Sequence, residues 1–178
     1  MKKEVKKFIV GLRKEKLLSY TLELCESNEV AQEFFELKID DNPVVKRYSK
    51  EILNKYKKKI DYWFFIHDEF DADTEKAWEV VEKFHKTHKG YPEFYLELLI
   101  YWIKSAVEYA SGICVDYGAY YDGMTEVFEK ALKIAKNNQL FDQYEECFLE
   151  LLNSCEPFGW ATYDIMSDML EKYKRNKK

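Results

Sequence analysis

Between residues 94 and 115 nearly every position is apolar. The exceptions Glu97, Lys104 and Glu108 fall with Glu93 on one narrow stripe, which Ser111 joins lower down. At about 100° per residue, a helix over this stretch is apolar almost all the way round and must be covered on most sides by other helices. Its longest unbroken apolar run, residues 98–103, is far too short to span a bilayer, so the cover has to be protein. The segment commits the chain to an all-α fold with a buried central helix.

The flanking sequence supplies that cover. Leu140, Phe141, Tyr144, Cys147, Phe148, Leu151, Leu152 and Cys155 recur at helical spacing, opposed by Asp142, Gln143, Glu145, Glu146 and Glu150. Met124, Val127, Phe128, Ala131, Leu132 and Ala135 repeat the pattern one element earlier. Their outer face carries Glu126–Lys130 and Glu129–Lys133 in the favourable i, i+4 order. Helices are expected over residues 2–9, 13–26, 28–39, 43–60, 73–88, 92–115, 120–137, 140–155 and 161–175. Asn42-Pro43, Asp73-Thr74 and Pro92 read as start signals, a capping side chain or a first-turn proline. Six Gly and three Pro are too few for the turns of a β-sandwich. The expected architecture is eight or nine helices in an irregular α–α superhelix or compact bundle, one domain over residues 1–178.

Cys25, Cys114, Cys147 and Cys155 lie far apart, without the paired spacing that closes a zinc tetrahedron. Each falls on an apolar stripe, where a free thiol packs as a small hydrophobe. Met1-Lys2-Lys3-Glu4-Val5 is charged with no apolar run behind it, so no secretory signal is expected and the expected location is the cytoplasm.

Candidate chemistries fail on spacing. Glu82 and His85 form one E-x-x-H pair, whereas a di-iron bundle needs a second, and His67 has Phe64 at that offset. Glu79 and His88, at the two ends of the same three-residue series, point to opposite sides of a helix and cannot share an ion. Asp71, Asp73, Glu75 and Glu82 echo a calcium loop, but Lys76 stands where the sharp turn needs glycine. The acids suit a helix N-terminus instead. The only arginines, Arg13, Arg47 and Arg175, have no histidine after a gap of four to six residues, which excludes that class of helical nuclease. There is no G-x-S-x-G, P-loop or G-x-G-x-x-G. No catalytic residue, metal or cofactor is expected.

Charge is segregated behind a net −5. Residues 1–16 hold seven Lys or Arg against two Glu, and residues 43–60 hold seven against Glu51 alone. Residues 137–171 hold eight acids and no Lys or Arg. In the basic segment Lys46, Lys50 and Lys57 keep to one side, and Tyr48 and Tyr56 are interleaved, a pattern that suits nucleic acid. Lys55, Lys58 and Lys59 spread around the helix, which suits an ordinary solvated surface better.

Two joints stand out. Residues 116–123 place Tyr117, Tyr120 and Tyr121 between the two strongest helices. Fourteen tyrosines exceed what a core needs, and tyrosine at a joint either folds back or makes contacts. Pro157-Phe158-Gly159-Trp160 is the second joint, with a positive φ expected at Gly159, Trp160 as a plug, and Asp164 bonding a neighbouring ring.

Residues 128–138, with Gly112 sixteen positions before Phe128, resemble one tetratricopeptide helix pair, and no 34-residue copy stands elsewhere. Tyr117-Gly118, Tyr120, Met124, Phe128-Glu129-Lys130-Ala131-Leu132, Gly159-Trp160, Asp164 and Ser167-Asp168 resemble a family of small all-helical bacterial proteins. The resemblance covers roughly residues 42–173 and implies an all-α fold and bacterial or phage origin, with no activity attached.

The function these residues favour is a non-enzymatic protein-binding helical module, an accessory or regulatory protein. Its expected contacts are Tyr117, Tyr120, Tyr121, Trp160 and Asp164. The alternative is a nucleic-acid-associated protein using Lys46, Arg47, Lys50 and Lys57.

Overall fold

The computed structural model describes residues 1–40, 47–66, 72–113 and 115–175. In order these form α1 (Lys3–Val10), α2 (Lys14–Ser27), α3 (Glu29–Asp40), α4 (Arg47–Asp61), a π-helical turn (Tyr62–Ile66), α5 (Thr74–Thr87), α6 (Pro92–Gly112), α7 (Gly118–Asn137), α8 (Phe141–Ser154) and α9 (Thr162–Arg175). There is no strand among the described residues, and the fold is all-α. The chain divides into two compact units, Met1–Ile52 and Leu53–Lys178.

In the second unit α6 is the centre. Leu96, Leu98, Leu99, Ile103 and Ala106 are fully buried, and Trp102 is only 3% exposed. The nearly all-round apolar pattern has this consequence: α5 packs on one side with Val81 and Phe84, and α7 on another with Met124, Phe128 and Leu132. Each such large side chain contributes about 1.5–3 kcal/mol by leaving water. α9 then lies on α7 and α8, burying Met166 and Leu170.

Local signals act as the residues dictate. The Asp73 carboxylate accepts the Lys76 N–H at 2.8 Å, capping α5, and Pro92 opens α6. Asn42-Pro43 lies outside the described residues. α4 continues into the aromatic run Tyr62–Ile66 as a π-turn, where the expected helix stops at residue 60. Widening the backbone ring by one residue lets Phe64 bury against α6, its ring 5.5 Å from that of Trp102. The Asp73 N–H donates to the Trp63 carbonyl at 3.0 Å, tying this turn to the start of α5.

Cysteine burial is uneven, contrary to expectation. Cys155 is buried, which pushes its thiol pKa up to about 11. Cys147 and Cys25 are only half-buried, and Cys114 lies outside the described residues. No described helix is long and apolar enough to cross a membrane.

Candidate functional site

The tyrosine joint is largely helix. α7 begins at Gly118, so Tyr120 and Tyr121 sit in its first turn and are 4% and 5% exposed. The Tyr120 hydroxyl donates to the Ala106 carbonyl at 2.7 Å, and the Tyr121 hydroxyl to the Val115 carbonyl at 3.0 Å. The first bond adds a second donor to a carbonyl inside α6, the second answers a carbonyl just beyond it, and burial raises the Tyr120 pKa far above its ordinary value. These two rings are packing elements as they stand. Tyr117, in contrast, is 48% exposed, with its ring edge-on to that of Tyr120 at 5.8 Å.

The second joint corrects the reading of Gly159. The left-handed pair is Trp160 (φ 60°) and Ala161 (φ 55°), and no described glycine has a positive φ. Such conformations are uncommon outside glycine and need support. Here the Thr162 N–H and hydroxyl both reach the Gly159 carbonyl, at 3.3 and 2.8 Å, and Thr162 is fully buried. The Trp160 ring lies over Gly118, where an added Cβ would come within 3.1 Å of it. It nonetheless remains 57% exposed, less of a plug than expected. Asp164 is exposed in the first turn of α9, with no hydrogen bond among the described residues.

A cleft of about 690 Å³ lies between α5 and α7. Thr74, Glu75 and Trp78 form the α5 wall at positions i, i+1 and i+4, one face of a helix. Ala119, Tyr120, Gly123, Glu126, Val127 and Lys130 form the α7 wall with the same periodicity, and Tyr117 stands at its upper end. Trp102 of α6 supplies the floor, its ring 6.4 Å from that of Trp78 and near perpendicular to it. Gly123 leaves an opening, because a Cβ there would meet nothing within 4 Å.

Charges in the cleft are partly spoken for. The Lys130 ammonium reaches Glu82 at 2.6 Å and lies 4.5 Å over the Trp78 ring. The expected Glu126–Lys130 pair is therefore not made, since the half-buried Trp78 ring and Glu82 offer Lys130 a better site. Glu129–Lys133 does form, at 2.8 Å. Glu75 and Glu126, on opposite walls, have no ion-pair partner among the described residues. The Trp102 indole N–H is buried and also has no acceptor among the described residues.

Beneath Lys130 lies the E-x-x-H pair. Glu82 accepts from Lys130 and from the Tyr95 hydroxyl at 2.9 Å, and His85 stacks on Tyr95 at 4.0 Å. Burial raises the Glu82 pKa, but the hydrogen bonds from Lys130 and Tyr95 outweigh it, and the net pKa is below the ordinary value. Burial lowers the His85 pKa. The pair is thus engaged by a tyrosine and a lysine.

Among the described residues of the basic segment there is no continuous cationic stripe. Lys46 and the Arg47 side chain lie outside the described residues, and Lys50 is exposed. Lys57 is 3.7 Å from Glu97 and 5.3 Å over the Tyr101 ring, so its charge is answered from α6. Asp61 accepts the Tyr101 hydroxyl on the same side.

No family model, curated protein or solved structure matches this chain.

Proposed function

We propose that this chain is a non-enzymatic protein-binding module and that the α5–α7 cleft takes a segment of its partner. The observation that carries the reading is the cleft's aromatic wall, the exposed Tyr117 and half-buried Trp78 backed by the buried Trp102 and Tyr120, between two carboxylates that have no ion-pair partner among the described residues. Large rings with polar tips supply contact area at low entropic cost and dominate binding energy at protein interfaces. The segment that fits carries an apolar side chain for the floor and a lysine or arginine for Glu75 and Glu126. Tyr117 belongs to this surface, and Tyr120 shapes its wall from within. The resemblance of residues 42–173 to small bacterial helical proteins supports a bacterial or phage accessory or regulatory setting.

The test is site-specific photo-crosslinking in the native host. A benzophenone amino acid at Glu126, on the cleft, is compared with one at Asn153, exposed on α8. One protein crosslinked from position 126 and absent from 153 is expected. No crosslink at 126, or the same products from both positions, overturns the site.

A further inference from the structure

The first unit has the opposite character from the second. Neither α1 nor α2 contains a buried residue, although both are rich in large apolar side chains. On α2, Leu17, Leu18, Tyr20, Leu22 and Leu24 are each between 42% and 58% exposed. Phe34 and Phe35 on the adjoining α3 are at least 40% exposed. At about 100° per residue, the apolar positions of α2 sweep an arc of roughly 200°, more than α3 alone can cover. With aromatic side chains offering roughly 150–250 Å² and aliphatic ones somewhat less, the exposed fractions on α2 and α3 sum to on the order of 700 Å². The largest apolar patch of an ordinary monomer is roughly 300–600 Å², while one side of a stable dimer covers about 800 Å².

We propose that α2, flanked by α3, is the surface through which two copies of this chain pair, with the two α2 helices antiparallel. This interface is separate from the cleft and stands without it. Area makes the pairing worthwhile, and charge sets its direction. Lys16 and Glu23 are seven residues apart, close to two full turns, and share one flank of the apolar arc. A twofold axis near the middle of α2 brings the same flanks of the two helices together in reverse order. Lys16 of each copy then meets Glu23 of the other, twice per dimer. The opposite flank carries Glu15 and Glu26, which would repel their counterparts, so the helices meet on the Lys16–Glu23 side. A second copy fits better than a lipid surface, because α2 and α3 carry Glu23, Glu26, Glu29 and Glu36 beside their apolar residues. An anionic bilayer would attract the lysines of α1 and repel this acidic part.

Sedimentation velocity on the full chain tests this, run beside flotation with phosphatidylserine–phosphatidylcholine vesicles. A species of twice the 21.4 kDa chain mass is expected, with a dissociation constant below about 100 μM. Leu18→Glu with Leu22→Glu should yield monomer with unchanged helicity, since both side chains are already more than half exposed. Lys16→Glu should weaken the dimer about fivefold or more at low salt, and adding Glu23→Lys to the same chain should restore it. A chain that stays monomeric overturns the proposal, as does a dimer indifferent to Leu18→Glu and Leu22→Glu. A dimer unmoved by Lys16→Glu refutes the antiparallel arrangement. A monomer that floats with the vesicles assigns the surface to lipid instead.

Discussion

Replacing Gly123 by alanine should stabilise the protein. Gly123 is the sixth residue of α7, well inside the helix, and its φ is not positive. A Cβ built there meets nothing within 4 Å, so the substitution meets neither steric nor backbone resistance. What remains is the intrinsic difference between the two residues in a helix interior, about 0.8–1.0 kcal/mol in favour of alanine. For a chain of this size, that corresponds to a rise in melting temperature of about 2–4 °C. Thermal unfolding followed by far-UV circular dichroism, with wild type and variant in the same buffer, reads it directly. A fall of more than about 1 °C would refute the reasoning, because it would mean that the α7 wall is occupied at Gly123 and the cleft is closed there.

Tyr121→Phe should destabilise by about 1–2 kcal/mol in urea unfolding, because it leaves the buried Val115 carbonyl beyond α6 without this donor, and Tyr120→Phe by about 0.5–1.5 kcal/mol, because the Ala106 carbonyl inside α6 keeps its helical partner and loses only the second bond. Values near zero would free both rings for recognition. Lys130→Ala should cost about 1 kcal/mol, since the Glu82 pair is partly exposed and the Trp78 ring contributes comparably; a cost that vanishes in high salt would assign it all to the pair. Burial holds the His85 pKa below its ordinary value, so near pH 6.5 the unfolded chain binds more protons than the folded one. This contribution to stability is full above about pH 6.5, the unfolded value, and is lost as the pH falls from there through the lower folded-state pKa. A proton-NMR titration of His85 with its midpoint at or above 6.5 would contradict the sign. Cys155, with a pKa of about 11, should label only on unfolding.

Elements whose instructions are local were legible in the sequence. The buried α6 follows from the all-round apolar run, the start of α5 from Asp73, and the start of α6 from Pro92. The π-turn at Tyr62–Ile66 was not legible, because an aromatic run with no glycine or proline gives no sign that the ladder widens. The partner of Lys130 depended on tertiary choice: Glu126 is one turn away, but Glu82, 48 residues distant, lies beside an aromatic wall. The cleft was hidden for the same reason. Trp78 and Trp102 read as ordinary helical positions and Gly123 as the end of the tyrosine joint, and only the packing of α5 and α7 on α6 brings them together. Thr74, Glu75 and Trp78 sharing one helix face with two polar members was the available signal. The tyrosine joint drew attention by composition, yet two of its three rings turn inward to bond carbonyls that composition cannot show.

The central claim is that the α5–α7 cleft is where the partner binds, and Gly123→Leu tests it most directly. The branched side chain projects from the α7 wall into the cleft without clashing at its Cβ, and leucine suits a helix interior. Isothermal titration of the crosslinked partner should give wild-type affinity for Gly123→Ala within about threefold. Gly123→Leu should lose about a hundredfold or more, the loss typical of a blocked binding hot spot. A folded Gly123→Leu protein that binds its partner as wild type does would contradict the account.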